Sequence, residues 1–220
     1  SSGVMDAPVA LFHDALVIQL PSSSLSEIGK DYTIYFSILG LIAERFTTQS
    51  EIDSVIKKNT GAYIEKLENL FCVIRKNKPL FAPKESRRAH WEIIDANMRF
   101  YFRFVYPNQN LIELEQFDRL RDIVNRDYNT FTGKTLEMYF TELLKEKGGF
   151  SMLGPWWDSK GQNEIDIVSI DSFEKSCTLY EVKRNKAKYN SEKLAYKTEI
   201  FKKNIAGFRT ELIGLSIEDM

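Results

Sequence analysis

The sequence predicts an α+β chain in which a mainly helical first half is followed by a mixed α/β second half. From about residue 31 to residue 71, apolar side chains recur at helical spacing. Beyond residue 131, a helical segment is followed by short apolar runs that alternate with period two, as strands do. With 220 residues and 43% hydrophobic side chains, the chain has room for two small domains, each with its own core.

Composition narrows the classes of function. The formal net charge is −1, so any surface that binds nucleic acid must be a local patch. The two cysteines, Cys72 and Cys177, stand far apart in apolar stretches, which predicts buried free thiols and excludes a disulfide framework or a zinc motif. No signal peptide and no membrane-length apolar run occurs, so we expect a cytoplasmic protein without a membrane partner.

The first half has the element order of a winged helix-turn-helix, which we assign to residues 30–107. Three helices are predicted, with Thr48 or Ser50 as the cap of the second, and extended chain with a charged, turn-rich centre follows them. The helices and the extended segment read YTIYFSILGLIAER, SEIDSVIKK, AYIEKLENLFCVI and RKNKPLFAPKESRRAHWEIIDANMRFYFRFV.

A local basic patch accompanies this pattern. Residues 51–90 contain nine basic and five acidic side chains. Lys57, Lys58 and Lys66 are therefore candidates for contact with nucleic acid. The alternatives are a solvated helical face and a winged helix that packs against protein.

A connecting helix is predicted over residues 108–130, and a second domain follows over residues 131–206. Its first helix is predicted to begin with Thr132 as its cap and to end at Gly148-Gly149. An extended segment, FSMLGPWWD, then precedes EIDIVSI and CTLYEVKRN, which predict an antiparallel hairpin. A basic helix from about Lys186 to Asn204 completes the domain, and residues 207–220 are predicted to be a C-terminal tail.

Charged side chains on the hairpin predict a metal site. Glu181 and Lys183 are two residues apart on a strand, so they point the same way, and Asp166 lies between two isoleucines on the partner strand. A lone carboxylate inside an apolar strand costs several kcal/mol unless something compensates its charge. A Mg²⁺ or Mn²⁺ ion bound by Asp166 and Glu181 would compensate both carboxylates.

Two further groups complete the predicted catalytic set. Lys183 can orient a metal-bound water or stabilise charge on a phosphate, and Glu137 on the preceding helix can supply a third carboxylate or an outer contact. In the structural alternative, Glu181 and Lys183 form a surface ladder pair and Asp166 is a structural hydrogen-bond acceptor.

The segment after the hairpin is strongly basic. Residues 181–203 hold eight basic and three acidic side chains, with Tyr189 and Tyr196 between them. Arg184, Lys186 and Lys188 are therefore candidates for phosphate contact. A solvated helix face is the alternative for each of these side chains.

Several short motifs in order resemble one family. They are RFYFRFVYPN (99–108), GKTLEMYF (133–140), WWD (156–158) with NEIDIV (163–168), and YEVKRN (180–185). They resemble archaeal and bacterial P-loop, AAA+-like ATPases with a C-terminal winged helix and a restriction-endonuclease-like domain of the PD-(D/E)XK type. By motif, Glu137, Asp166, Glu181 and Lys183 match the nuclease-like site of that family, which implies Mg²⁺ or Mn²⁺. Tyr180 and Val182 depart from the small residue and cysteine that the family often has beside the glutamate.

The resemblance also implies the chain's context. It implies an αβββα nuclease-like fold over residues 131–206 and makes residues 1–29 the remnant of a preceding ATPase region. No Gly-x4-Gly-Lys-Ser/Thr loop is present, so ATP would bind only through a module absent from this chain. The expected partners are DNA and that ATPase module, and an oligomer is compatible with the family.

These observations lead to one hypothesis and two alternatives. The hypothesis is a DNA-binding module of a prokaryotic ATPase with a Mg²⁺-dependent phosphodiesterase site. The first alternative is a non-catalytic module that binds DNA or protein and retains the nuclease fold. In the second alternative, the chain is an interaction or oligomerisation arm of the ATPase, since fold alone does not settle function.

Overall fold

The computed structural model describes residues 22–83 and 89–220, with side chains from residue 32 onward. The predicted ATPase remnant therefore lies largely outside the described residues, as do Lys84, Arg87 and Arg88 of the basic patch. The chain divides into two compact units. Within the described residues, the first unit comprises 22–77 and 90–123, and the second comprises 78–83, 89 and 124–220.

The first unit begins with three helices, as the sequence predicts, and a pair of short antiparallel strands follows them. Two short helices come next, joined by a π-helical turn over Tyr101–Val105 and a 3₁₀ turn over Tyr106–Asn108. The bounds are α1 Ser22–Ala43, α2 Gln49–Ile56, α3 Gly61–Asn69, β1 Ile74–Asn77, β2 His90–Ile93, α4 Ala96–Phe100 and α5 Gln109–Glu113.

Local side-chain bonds fix the start of α2 and its connection to α3. Thr48 and Glu51 form a capping box, which confirms Thr48 as the predicted cap. Asp53 Oδ1 accepts hydrogen bonds from the Thr60 backbone nitrogen at 2.7 Å and from its hydroxyl at 2.6 Å. Because Thr60 is fully buried, this carboxylate satisfies two donors that would otherwise lack a partner.

The aromatic segment RFYFRFV is helical, so the predicted extended structure is wrong beyond Ile93. Asp95 caps α4, and its carboxylate accepts a hydrogen bond from the Met98 backbone nitrogen at 2.7 Å. Phe102 and Phe104 are fully buried. The Phe102 ring meets Phe36 edge-on with 5.4 Å between centroids, so burial of these rings favours the helix over a strand.

A single helix, α6 (Phe117–Lys147), replaces the predicted connecting helix and the separate helix after it. Thr132 is not a cap. It lies inside α6, and its hydroxyl donates to the Tyr128 carbonyl oxygen at 2.7 Å, which lets a threonine sit in a helix interior. The helix ends as predicted, because Gly148 and Gly149 both adopt positive φ.

The second unit contains a four-stranded sheet in the order β3-β4-β5-β6. Strands β3 to β5 are antiparallel, which confirms the predicted extended segment and hairpin, and β6 runs parallel to β5. The bounds are β3 Met152–Trp157, β4 Glu164–Asp171, β5 Ser176–Val182, α7 Ser191–Phe201 and β6 Arg209–Leu215.

Strand β6 occupies half of the segment predicted as a C-terminal tail, so the prediction is wrong there. Parallel neighbours need a crossover, and α7 provides it between β5 and β6. The predicted helix from Lys186 to Asn204 is shorter in the structure, because 3₁₀ turns over Lys186–Lys188 and Lys202–Asn204 flank α7.

Both faces of this sheet are covered by helices. On one face, α7 buries Leu194 and Phe201 against the strands. On the other face, α6 buries Leu136 and Phe140 against a second cluster from β4 and β5. Because strand side chains alternate, the neighbours Leu179 and Tyr180 on β5 belong to different cores.

The two cysteines lie in different surroundings. Cys177 is buried, and this burial raises the pKa of its thiol to about 11. Cys72 is exposed, so the prediction that both thiols are buried is wrong for Cys72. Among the described residues, no helix is both long and apolar enough to cross a bilayer.

Candidate functional site

Glu181 is a buried carboxylate near the end of β5. Its side chain is 4% exposed, and its Oε1 atom faces two ammonium groups, Lys183 Nζ at 2.9 Å and Lys197 Nζ at 3.6 Å. Its Oε2 atom is also buried and accepts no hydrogen bond from any residue that the structure describes. We call Glu181 Oε2 the open oxygen. An acceptor left open in this way costs free energy unless a ligand occupies it.

Asp166 lies beside Glu181 at the same edge of the sheet. Its Oδ2 atom accepts a hydrogen bond from the Val182 backbone nitrogen at 2.7 Å and lies 3.7 Å from Lys183 Nζ. Because one ammonium contacts both carboxylates, Asp166 and Glu181 converge on the same point rather than on opposite sides of the sheet.

Lys183 connects the two carboxylates. Burial lowers the pKa of its ammonium, but the hydrogen bond with Glu181 and the charges of Asp166, Glu181 and Glu137 outweigh burial, and the net pKa is raised. Its side chain remains one third exposed, and Nζ also donates to the Val182 carbonyl oxygen at 3.2 Å. The lysine is therefore charged and still accessible to solvent.

Glu137 approaches the pair from α6. Loss of water raises the pKa of its carboxyl to about 6, Lys134 at 2.8 Å opposes the rise, and the negative charge of Asp166 adds to it. The structure therefore brings Glu137, Asp166, Glu181 and Lys183 into one electrostatic neighbourhood. Near neutral pH, Glu137 can hold or release a proton beside the strand carboxylates.

Two neighbours of Glu181 were not predicted from the sequence. Lys197 comes from α7, and Tyr189 lies with its ring against Gly214, where an added Cβ would stand 2.6 Å from the ring. Gly214 is the parallel register partner of Glu181, so the tyrosine ring fills the space beside that carboxylate. A weak signal for Lys197 exists, because it lies three residues after Leu194 and four before Phe201 on the buried stripe of α7.

The donor set fits a hard divalent cation that keeps water ligands. Among the side chains that the structure describes, those of residues 32–83 and 89–220, no three from His, Cys, Asp or Glu come together to hold a metal ion. Mg²⁺ is commonly bound by one or two carboxylates, with waters in its remaining positions. Asp166 and Glu181 supply such a pair, and the open oxygen is an available ligand atom.

Other contacts agree with the structural alternative. Lys183 pairs with Glu181 at 2.9 Å, although the pair is not on the surface because Glu181 is buried, and Asp166 accepts a backbone hydrogen bond. These contacts account for Glu181 Oε1 and Asp166 Oδ2. They leave the open oxygen unexplained, and this atom separates the structural alternative from a ligand site.

The three candidate nucleic-acid contacts of the first unit lie on or next to α2 and α3. Lys57 ends α2 in a left-handed conformation and is exposed. Lys58 donates to the Tyr63 hydroxyl at 2.9 Å and lies over that ring. Lys66 belongs to the last turn of α3, between Glu65 and Glu68.

The three candidates of the second unit follow β5 and differ in their contacts. The Arg184 guanidinium lies over the Tyr128 ring, 5.3 Å from its centroid, and donates to Asn129 on α6. Lys186 pairs with Asp219 at 3.1 Å. Lys188 is exposed at the end of a 3₁₀ turn. Arg184 and Lys186 therefore have structural partners as well as nearby solvent.

Comparison with known proteins relates the region around this site to a family without an assigned function. Residues 101–195 match the DUF234 family, described as archaeal and bacterial proteins of unknown function. An uncharacterised protein of Methanocaldococcus jannaschii is 29% identical over 184 residues, which cover 80% of this chain and 41% of that protein. The chain thus spans about two fifths of the length of this curated relative. No solved structure matches the chain. The region that holds all four predicted catalytic residues is therefore related to archaeal and bacterial proteins of unknown function.

Proposed function

We propose that the second unit is a Mg²⁺-dependent phosphodiesterase of the PD-(D/E)XK type that cleaves DNA. The open oxygen carries this proposal. It lies on a buried carboxylate, next to a second carboxylate and a charged lysine. A structural role leaves this atom without a partner, whereas a bound divalent cation would give it one.

Asp166 and Glu181 are the residues that would hold the cation. When bound, Mg²⁺ would polarise a scissile phosphate and lower the pKa of a water molecule. Lys183, which is already charged, would stabilise negative charge on the phosphate from its position between the carboxylates. Glu137, whose pKa is raised to about 6, would exchange a proton with solvent beside Asp166.

The element order supports the proposed fold of this unit. A helix, three antiparallel strands and a second helix follow one another in α6, β3, β4, β5 and α7, as the αβββα pattern requires. The two carboxylates proposed to hold the cation, Asp166 and Glu181, lie on the central strands β4 and β5. Sites at strand ends are well suited to chemistry, because packed helices and strands hold the side chains rigidly.

We assign contact with DNA phosphates to the second unit. The segment from residue 181 to 203 has an excess of five positive charges, and Lys188, Lys193 and Lys203 are exposed there. In the first unit, the described surface of α3 carries Glu65 and Glu68 beside Lys66. A helix that enters a DNA groove normally needs net positive charge, so we propose a winged helix that packs against protein.

A second candidate function is a non-catalytic module that binds DNA or protein. It is favoured by the two lysines on Glu181 Oε1, because they compensate the buried carboxylate without a metal. On this interpretation, the buried charge of Glu181 and its lysine partners would favour one folded conformation over alternatives.

The length of the relative bears on the context of the module. The protein of Methanocaldococcus jannaschii is more than twice as long as the region that matches this chain. We propose that an ATP-binding module accompanies this region in the full-length protein and controls access to the site. Nucleotide would then act only through that module.

Cleavage of supercoiled plasmid DNA in the presence of Mn²⁺ or Mg²⁺ tests the proposal. We expect metal-dependent nicking that falls by about 10²–10³-fold in Lys183→Ala, the scale on which single groups stabilise transition-state charge. Lys145→Ala is the matched control, because it removes a lysine from an exposed ion pair on α6. Its nicking rate should equal that of the wild type.

Binding measurements separate the two candidate functions. The nuclease predicts that Asp166→Ala abolishes nicking and weakens binding of Mn²⁺. The non-catalytic module predicts binding of DNA without cleavage and no change in that binding in Asp166→Ala. Wild-type protein that neither nicks DNA nor binds Mn²⁺ would refute the proposed nuclease.

A further inference from the structure

We propose that Lys197 is a positioning residue that holds Glu181 by one oxygen and so keeps the open oxygen directed at the cation. This inference rests on the proposed function, since it assigns Glu181 to the metal. Lys197 Nζ lies 3.6 Å from Glu181 Oε1, and the lysine side chain is only 12% exposed. A lysine side chain that is this strongly buried almost always has an oppositely charged partner.

Helix α7 holds Lys197 in a fixed place. The Asn190 side chain caps the helix by accepting from the Lys193 backbone nitrogen at 2.8 Å. Leu194 and Phe201, which flank Lys197 on the same side of α7, are fully buried in the core against the sheet. The backbone of Lys197 is therefore held by a packed helix, and its largely buried side chain places the ammonium beside Glu181.

The two lysines at Glu181 have different freedom. Lys183 is one third exposed and also contacts Asp166, so it can turn toward a substrate phosphate. Such a turn would remove one of the two cations from Glu181 Oε1. Lys197 has Glu181 as its ion-pair partner within the described part of the chain and would remain in place. Lys183 can therefore contact the substrate phosphate while Lys197 keeps Glu181, the proposed metal ligand, in place.

Tyr189 limits movement of Glu181 from another direction. Its ring lies against Gly214, the register partner of Glu181 on β6. Burial raises the pKa of the Tyr189 hydroxyl, and the negative charge of Glu181 adds to the rise. With Lys197 at one oxygen and the ring beside the carboxylate, Glu181 has little freedom to turn its open oxygen away.

Position and charge predict opposite effects on metal affinity. As a nearby positive charge, Lys197 repels a divalent cation, so its loss would tighten binding. As a positioning residue, it preorganises a ligand, so its loss would weaken binding. The sign of the change therefore distinguishes the two roles.

The test is the affinity of the protein for Mn²⁺ alone, measured from the electron paramagnetic resonance signal of free Mn²⁺ without nucleic acid. We expect Lys197→Met to raise Kd by about tenfold, as loss of an outer-shell partner does. Lys197→Arg keeps a donor near Oε1 and should stay within about threefold of the wild type. Lys202→Met, which removes an exposed lysine paired with Glu199, is the control and should leave Kd unchanged.

An unchanged or lower Kd in Lys197→Met would overturn the positioning role. If Lys197→Met does not fold, Lys197→Gln replaces it in the same titration. A Kd for that variant equal to the wild-type value would equally overturn the role.

A double-mutant cycle in urea without metal separates this inference from the proposed nuclease. Lys197→Met should lower the unfolding midpoint in the wild type but change it little in Glu181→Gln, because the two side chains then no longer interact. Absence of this coupling refutes the contact itself. If Lys197 and Glu181 are coupled in unfolding but the wild type does not bind Mn²⁺, the proposed metal-dependent nuclease is refuted. Lys197 would then only stabilise the fold by pairing with Glu181.

Discussion

Asp53 in the first unit and Glu181 in the second are carboxylates with opposite hydrogen-bond arrangements. Asp53 Oδ1 accepts two hydrogen bonds from Thr60, at 2.7 and 2.6 Å, and so ties α2 to α3. Glu181 has two lysines at one oxygen, while the open oxygen has no donor among the described residues. The first arrangement completes a local structure, and the second leaves a buried acceptor without a donor among the described residues.

This difference provides a criterion for interpreting buried acids. A structural carboxylate is surrounded by donors that folding would otherwise bury without partners. A carboxylate that binds a cation must keep an acceptor free, and its burial has to be supported by charge from elsewhere. At Glu181, Lys183 and Lys197 supply such charge, which is the arrangement that our proposed cation site requires.

The largest expected effect is a loss of nicking when the charge of Glu181 is removed, and the same change at Asp53 serves as the comparison. Glu181→Gln should lower metal-dependent nicking by about 10³-fold, because an amide is a far weaker ligand for Mg²⁺ than a carboxylate. Asp53→Asn should leave the nicking rate unchanged, since Asp53 belongs to the helical unit. Equal loss in both variants would show that the comparison has no functional meaning.

A smaller effect is expected at the glycine beside Glu181. In Gly214→Ala, the new Cβ would stand 2.6 Å from the Tyr189 ring, so the ring must shift. We expect a loss of about 3 kcal/mol in the free energy of unfolding, at the upper end for overpacking. Adding Tyr189→Ala should recover part of that loss. No recovery in urea unfolding of the double variant would locate the strain elsewhere.

Asp53→Ala tests the structural member of the comparison. It leaves the backbone nitrogen and hydroxyl of buried Thr60 without their acceptor. We expect a loss of about 2 kcal/mol in the free energy of unfolding, the usual cost of unsatisfied buried donors. Thr60→Val, assayed beside it by urea denaturation, should account for the hydroxyl part of this loss. If Asp53→Ala lowers the free energy of unfolding by less than about 0.5 kcal/mol, the range typical of surface substitutions, Asp53 does not stabilise the connection between α2 and α3.

The smallest expected effect is a pH dependence caused by Glu137. Its pKa is about 6 in the folded protein and 4.5 in its usual state, so ionisation costs the folded state free energy. This cost is absent below pH 4.5, appears as the pH rises from 4.5 to about 6, and is complete above that. Relative to the wild type, Glu137→Gln should gain up to about 2 kcal/mol at pH 8 and little at pH 4.

Urea unfolding of wild type and Glu137→Gln between pH 4 and pH 8 measures this difference. Lys134→Met should act in the opposite direction, because it removes the cation that offsets the burial of Glu137. A stability difference that does not change with pH would show that Glu137 ionises in the folded protein as it does in water.

Local signals in the sequence were sufficient for several elements. The Thr48 capping box and the Gly148-Gly149 stop depend on neighbours within a few residues, so their patterns predict the observed ends. Period-two alternation correctly predicts the hairpin of β4 and β5. It fails for RFYFRFV, where aromatic residues alternate but the Asp95 cap and the buried rings produce a helix.

Contacts between distant segments decided other features. Strand β6 forms because it pairs with β5 after the α7 crossover, and its own sequence contains Gly214 and alternates only weakly. Likewise, α6 continues through Thr132 because its apolar residues pack on the sheet. Neither outcome is encoded within a short window of residues.

For the candidate site, the sequence by itself placed Glu181 on one strand, Asp166 on its partner and Lys183 near Glu181, although β5 ends at Val182, one residue before Lys183. Strand geometry requires alternation of side chains wherever the hairpin forms. Only the tertiary structure decided that Lys197 and Tyr189 close around Glu181 and that the open oxygen is left over. Those positions depend on how α7 and β6 pack against β5, because packing between separate segments brings together residues that have no fixed spacing in the chain.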